Sequence, residues 1–443
     1  MKHMDNQQNN SMSYSLNSWN MLTIISAVKT SLLYVSAKCG TILRMIILCL
    51  FFMSCGSNEG IPENPPKVNS DSKPIIQQPA ETQNIQPNDN AAQVYKPIIG
   101  DTSVDIENMD YPMPSGRVIS VLITGIDSRL GEKTARADAN HLVRFYLDSG
   151  QVEVISVPRS TYADAKFSDP RGQLIGNVRL TLGRDRYMKE IRRVTEVNKI
   201  DFFVEFGFSQ AMGIIEIMGY KDNASNALRV IRSRKVYAAG DKQRSYNQGQ
   251  FIRQAILRTF DYTDDLMGQL GIRAALALST TNLSYDAASY ILDEMRAHGF
   301  NSNTPDRIWV RMMPKSGYNL KVFDYDSSNI SNIEAAIESK VQHIVGKNDR
   351  KQPEYYANIL RGLLAKVEKD TNKPERVIDS LAHPFKQKSW IQIQNVNERI
   401  ALRDKLCYML VNAYNKKGKT AEAFEIVKYI EQEDAFRKSG TMK

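Results

Sequence analysis

At 443 residues the chain exceeds one ordinary domain of ~100–200 residues. Its 42% hydrophobic and 24% charged content excludes a wholly disordered polymer and calls for at least one real core. A formal net charge of +9 points to anionic partners, whether nucleic acid, an anionic membrane surface or phosphorylated substrates.

The N-terminus narrows that choice. The apolar run 45–53 is preceded by Arg44 and followed by Ser54-Cys55-Gly56-Ser57. A run of about ten apolar residues is too short to span a ~30 Å hydrocarbon core as a helix. It fits the apolar region of an export signal, with a basic residue before it and small residues after it. The small residues around Cys55 resemble a bacterial lipoprotein cleavage box, which would make Cys55 the lipidated first residue of the mature protein. The competing expectation is an uncleaved signal anchor over residues 21–52, which Lys29, Lys38 and Arg44 interrupt. Both place the rest of the chain in the cell envelope, on the extracytoplasmic side of a bacterial membrane, and disfavour a nucleic-acid role. With Cys39 and Cys49 in the signal region and Cys55 lipidated, Cys407 alone remains, so no disulfide framework or cysteine metal site is expected.

Residues 1–55 are thus a leader or membrane anchor. From 56 to 116 the composition turns to Asn, Pro, Gln, Ser and Asp, too poor in large apolar residues to offset chain entropy, and predicts a flexible linker. Order is expected from residue 117. Val118–Ile126 is a β-branched apolar run suited to a strand buried on both faces. Strands over Leu142–Leu147 and Val152–Val157 follow, joined by a tight turn at Asp148-Ser149-Gly150. A helix over Leu182–Val197, a strand over Phe202–Phe206, a helix over Ser209–Met218 capped by Ser209, and a helix over Tyr246–Phe260 continue the pattern. Strands alternating with helices predict a three-layer α/β/α sandwich with a mixed central sheet over 117–345. Beyond Pro353 only helical spacing remains. Tyr414, Gly418 and Ala423 sit where a tetratricopeptide helix pair places its Tyr, turn Gly and small Ala, so 350–437 is read as a small all-α domain of that type or a generic helical appendage.

Polar residues gather at the strand ends: Asp127 and Arg129 after the first strand, Arg136 and Asp138 before the second, and Arg159 after the third. Arg232 and Arg234 follow an apolar stretch, and Asp241, Arg244 and Gln248 enter a helix. In open α/β sheets ligands bind beyond the carboxyl ends of the strands. Guanidinium forks match phosphate oxygens, and a pair of carboxylates suits a hard divalent cation such as Mg²⁺. Together they describe a pyrophosphate site.

The motifs are specific in their order. Ile123-Thr124-Gly125-Ile126-Asp127-Ser128-Arg129, Arg136-Ala137-Asp138-Ala139, Ile155-Ser156-Val157-Pro158-Arg159-Ser160-Thr161, the segment 227–234 ending in Arg232-Ser233-Arg234, and Asp241-Lys242-Gln243-Arg244 with Gln248 resemble the successive motifs of the LytR–CpsA–Psr family. The resemblance implies a Mg²⁺-using transferase that moves a glycan phosphate from a polyprenyl-pyrophosphate carrier to a peptidoglycan or envelope-protein acceptor. It implies Asp127 and Asp138 as metal ligands, with either able to take the acceptor's proton. By the same motifs Arg159, Arg232 and Arg234 act in catalysis, and Arg129, Arg136, Arg244 and Gln248 bind the pyrophosphate. Three departures stand out: Ser160 where the family has Asp, Asn247-Gln248-Gly249 in place of Arg-Gln-Gln, and shortened segments on either side of residue 202, with 176–179 a remnant of one of them. They keep open two alternatives, a non-catalytic binding protein with the anion site retained and a polyprenyl-pyrophosphate hydrolase. His141 is read as a structural strand-end histidine, the basic group Arg184, Arg186, Lys189, Arg192 and Arg193 as a solvated helix side, and Phe202, Phe203, Phe206 and Phe208 as core. The helical tail is expected to bind another envelope protein.

Overall fold

Two-residue alternation drives opposite faces of the long strands into separate cores, which is what a sheet covered on both sides requires. The computed structural model describes residues 103–106, 108–128, 136–220, 224–233, 237–315, 317–345 and 354–440. The leader with Cys55 and most of the expected linker lie outside these, as do Arg129 and Arg234. Strands are β1 (Ser103–Asp105), β2 (Val118–Ile126), β3 (Ala137–Tyr146), β4 (Gln151–Ser156), β5 (Phe202–Phe206), β6 (Thr280–Thr281), β7 (Ile308–Met312) and β8 (Asn319–Lys321). Helices are α1 (Ile175–Thr195), α2 (Phe208–Ile217), α3 (Ala224–Arg232), α4 (Asp241–Thr259), α5 (Leu266–Leu278), α6 (Tyr285–Ala297) and α7 (Ser327–Val345), then α8 (Tyr355–Glu368), α9 (Pro374–Lys386), α10 (Val396–Lys416) and α11 (Thr420–Gly440).

The main sheet has the order β6-β5-β2-β3-β4-β7, so the architecture is the expected α/β sandwich with a mixed sheet. β5 runs parallel to β2, β7 parallel to β4, and β3 antiparallel to both of its neighbours. β2, β4, β5 and β7 therefore end at one edge, and β3 begins there. One face carries Leu122, Leu142 and Ile155 against Ile175, Tyr187 and Ile191 of α1. The other carries Val143, Val154 and Val310 against Tyr246 of α4 and Ile291 and Met295 of α6. A third core joins α2, α3 and α7 to the later helices through Met212, Leu228, Ile333, Leu360, Trp390 and Leu410. No helix among the described residues is long and apolar enough to cross a membrane.

Several boundaries differ from expectation for local reasons. β1 pairs with β8 and Ile106 is buried, so folded chain precedes residue 117; Val104 and Ile106 supply the inward alternation within an otherwise polar stretch. The helix expected at Leu182 starts at Ile175 and is interrupted at Gly183, whose φ of 78° no other residue type adopts readily. It is tied to β5 by Arg179 and Arg184, which both donate to the buried Glu205. Gly207, not Ser209, caps α2, and Gln210 Oε1 accepts from the Gly207 amide at 2.7 Å. α4 starts at Asp241, five residues before Tyr246, because a carboxylate in the first turn complements the helix dipole.

α4 lies close to the sheet at one point. A Cβ on Gly249 would collide with Ser156 Oγ and lie 2.8 Å from Val310 Cγ1. The expected effect of Gly249→Ala is a loss of about 1–3 kcal/mol, read from urea unfolding midpoints, since overpacking forces the helix off the sheet. An unchanged midpoint would mean that α4 shifts freely.

Candidate functional site

The site forms where β2 hands over to β3. Gly125 opposes Ala139 and Ile126 opposes Ala137, leaving Asp138 as an extra residue in a bulge. A bulge re-aims the side chain it carries, and Asp138 here lines the same cavity as Ala139 and His141. Asp127 is fixed one residue beyond β2 by its amide, which donates to the Arg136 carbonyl at 2.8 Å. The two carboxylates then converge on one guanidinium. Arg232 Nη2, at the end of α3, lies 3.5 Å from Asp127 Oδ1 and 3.8 Å from Asp138 Oδ2. The Arg232 guanidinium also sits 5.2 Å from the centre of the Phe208 ring.

A second arginine closes the other side. Arg159 Nη1 donates to Asp138 Oδ1 at 2.6 Å, and its Nε lies 3.7 Å from Asp241 Oδ1. Burial works against the Arg159 charge, but the Asp138 hydrogen bond and the surrounding carboxylates outweigh it and raise its pKa. Asp241 in turn accepts from Arg244, from the Ser160 amide at 3.0 Å and from the Ser160 hydroxyl at 2.8 Å. Three guanidinium groups thus alternate with three carboxylates along one sheet edge, which suits a doubly charged anion with a cation beside it.

Behind this charged head runs a cavity of about 410 Å³. Its lining changes character along α4: Arg244 and Gln248 first, then Phe251, Ile252, Ala255 and Ile256, and Thr259 last. The fifteen helical steps from Arg244 to Thr259, at ~1.5 Å each, set the two ends of that lining about 22 Å apart along α4. β3 repeats the gradient, from Asp138 through His141 to Val143 and Phe145. The arrangement accommodates a ligand with an anionic head and a long apolar body.

His141 sits at the junction of head and body. It is buried, with Nδ1 2.9 Å from Ser156 Oγ and Nε2 3.3 Å from Gln248 Oε1. Since Gln248 Oε1 only accepts, Nε2 carries the proton, and Nδ1 accepts from Ser156. Burial lowers the pKa to about 4, the Gln248 contact opposing it, so the imidazole is neutral. Its folded pKa lies below the unfolded value, so its contribution to stability is present above pH 6.5 and is lost as pH falls toward 4. The loss amounts to about 3 kcal/mol for a fully expressed shift of this size. Unfolding midpoints of His141→Asn are expected to fall less steeply than those of the native chain over that window; parallel curves would discard the assignment.

The edge therefore gathers Asp127, Asp138, Arg159, Arg232 and Arg244, with Gln248 just inside it. Arg136 contributes its carbonyl, while its side chain is exposed. All four phenylalanines pack against cores, Phe202 and Phe203 on the two faces of the sheet and Phe206 and Phe208 against the third core, and Phe206 and Phe208 line the cavity as well. Their fixed alternation with Gly207 held no visible clue, because the cavity's second wall comes from α3, α4 and α6. Of the basic group on α1, Arg186, Lys189, Arg192 and Arg193 are exposed, while Arg184 is half-buried against Glu205 and Phe203. Among the described residues no three His, Cys, Asp or Glu side chains converge as a metal-binding group. Asp127 and Asp138 still fit a divalent cation, provided that substrate phosphates supply the remaining oxygens.

Residues 82–219 match the model of the LytR_cpsA_psr family. That segment contains Asp127, Asp138 and Arg159, while Arg232, Arg244 and Gln248 follow it. Among solved structures, the chain is similar to TagV of B. subtilis at 19% identity over 52% of this chain and 99% of that one, with a TM-score of 0.37. TagT bound to LI-WTA is 17% identical over 53% and 95%, with a TM-score of 0.33. Protein gbs0355 from Streptococcus agalactiae is 15% identical over 51% and 88%, with a TM-score of 0.36. No curated protein matches the chain.

Proposed function

We propose, from the LytR_cpsA_psr match over residues 82–219 together with the charged head and apolar cavity, that this protein is a phosphotransferase of the cell envelope. It moves a phosphoglycan from a polyprenyl-pyrophosphate carrier to a hydroxyl of a peptidoglycan or envelope-protein acceptor. The single observation that carries the reading is the continuity of the Arg159–Arg232–Arg244 head with the apolar cavity. A pyrophosphate with a long prenyl tail has that distribution of charge and apolar surface.

In the reaction the acceptor oxygen bonds to the glycan-side phosphorus, the bridging P–O bond breaks, and polyprenyl phosphate leaves. The acceptor's proton passes to Asp127 or Asp138. Arg159, Arg232 and Arg244 offset the charge on the departing phosphate, the dominant need in phosphoryl transfer. Gln248, oriented by His141, offers its amide to the pyrophosphate. Mg²⁺, held by Asp127 and Asp138, would supply further neutralisation of phosphate charge when bound. Arg129, Arg136 and Arg234 belong to the same anion-binding set by motif. The export signal and Cys55 tether the protein to the membrane that holds the carrier, and the helical tail meets an envelope partner.

The test is turnover of a polyprenyl-pyrophosphate glycan by the chain from Arg117 onward together with the preceding β1 segment, with and without Mg²⁺. Glycan joined to an acceptor supports the proposal. Free phosphoglycan would make the protein a hydrolase, and binding without turnover would make it a non-catalytic binding protein.

A further inference from the structure

The helices after residue 353 reach the head of the site from behind. At the turn between α9 and α10, Gln387 Nε2 donates to Ser128 Oγ at 2.6 Å. Ser128 is buried and directly follows Asp127. Its carbonyl accepts from the amide of Phe208, whose ring faces Arg232. The same turn also grips α2, where Gln392 Nε2 donates to Ser209 Oγ at 2.6 Å. Farther along, Arg399 Nη1 lies 2.9 Å from Glu216 Oε2.

The turn is itself rigidly held. Lys388 adopts a φ of 51°, a conformation that costs an L-residue about 1–2 kcal/mol and persists only where its surroundings enforce it. Its buried Nζ lies 3.6 Å from the centre of the Phe385 ring and 3.7 Å from that of Tyr429. Close packing against the two rings holds the side chain in place. Gln387 is therefore presented to Ser128 by a braced turn.

We propose that Gln387 is a positioning residue of the site: by holding Ser128 it aligns the Asp127 carboxylate with Arg232 and Asp138. The helical tail is on this account part of the catalytic framework. The effect on turnover rests on the phosphotransferase reading, whereas the effect on the loop does not.

Gln387→Met in the full chain keeps the side-chain bulk and removes the hydrogen bond. Gln392→Ala serves as the comparison, since it removes an equivalent contact to α2 that does not adjoin the carboxylates. Gln387→Met is expected to lower kcat about 10- to 100-fold with little change in KM, the penalty of a slightly misplaced group. Gln392→Ala is expected to leave kcat near the native value. In a Ser128→Ala background, Gln387→Met should add no further loss. Independently of any activity, hydrogen exchange at the Asp127 and Ser128 amides should accelerate in Gln387→Met and not in Gln392→Ala. Equal kcat losses in the two variants, additive losses in the Ser128→Ala background, or unchanged exchange at 127–128 would each overturn the proposal. A native chain without transfer activity would sink the phosphotransferase reading alone, and exchange would still decide the role of Gln387.

Discussion

Arg232→Ala is expected to lower transfer from a polyprenyl-pyrophosphate glycan by about 10²–10³-fold, the usual cost of removing one preorganised donor from a developing anion. The reason lies in its place between two carboxylates. Arg232 Nη2 is the shared neighbour of Asp127 and Asp138, and the Phe208 ring backs its guanidinium. Without it, the two carboxylates face each other and the incoming pyrophosphate with one cation fewer. Donor affinity should fall as well, because the same guanidinium meets the ground-state pyrophosphate. Arg232→Lys keeps the charge but loses the planar fork, and should recover only part of the rate. Arg171, 91% exposed and paired with Asp169, provides the control: Arg171→Ala should leave the rate unchanged. Initial rates at saturating donor decide the matter, and full activity in Arg232→Ala would remove the charged edge from the mechanism.

That edge was largely legible in the sequence, because strand ends and short motifs are local. Asp127, Asp138, Arg159, Arg232, Asp241 and Arg244 all meet within salt-bridge distance of another member of the set. The strands Val118–Ile126 and Phe202–Phe206 also have their expected bounds. What stayed hidden depends on register and on distant partners. Strict alternation along β3 would set Asp138 on the face opposite Ala139 and His141; the bulge that brings it round is a property of the β2–β3 pairing. His141 acquires its role only when α4 delivers Gln248, and Phe206 and Phe208 become cavity walls only when α3 and α4 close over them. The contact between Gln387 and Ser128 spans 259 positions and has no local signature.

The departures from the family pattern also take on physical sense. Ser160 gives Asp241 two donors, where a carboxylate at 160 would set two like charges in contact and raise the pKa of one of them. Asp241 is left free to orient Arg244 and to face Arg159. Gly249 stands where α4 presses on Ser156, the hydroxyl that also holds His141. Ser160 thus supports the charged edge, and Gly249 lets α4 close on the sheet.

The apolar cavity yields the second large effect. Ala255 lines it on α4, eleven residues beyond Arg244, so a side chain there reaches the body of the cavity and not its head. Ala255→Trp should exclude roughly one isoprene unit, or about five carbons at ~0.8 kcal/mol each when buried, an upper bound near 4 kcal/mol. Partial relaxation of the chain into the remaining space reduces this, and a weakening of about 10- to 100-fold is expected for a long-chain polyprenyl pyrophosphate. Inorganic pyrophosphate, which occupies the head alone, should bind the variant as it binds the native protein. Titration calorimetry with the two ligands separates the possibilities. Weakening confined to the long chain supports the cavity as the prenyl site, and Ala288→Trp, approaching from α6, should repeat it. Unchanged long-chain affinity in both variants would exclude the prenyl tail from the cavity, while equal loss of both ligands would signal a collapsed head. The contrast between ligands carries the inference, because a general loss of stability weakens both alike and only a steric block inside the cavity discriminates between them.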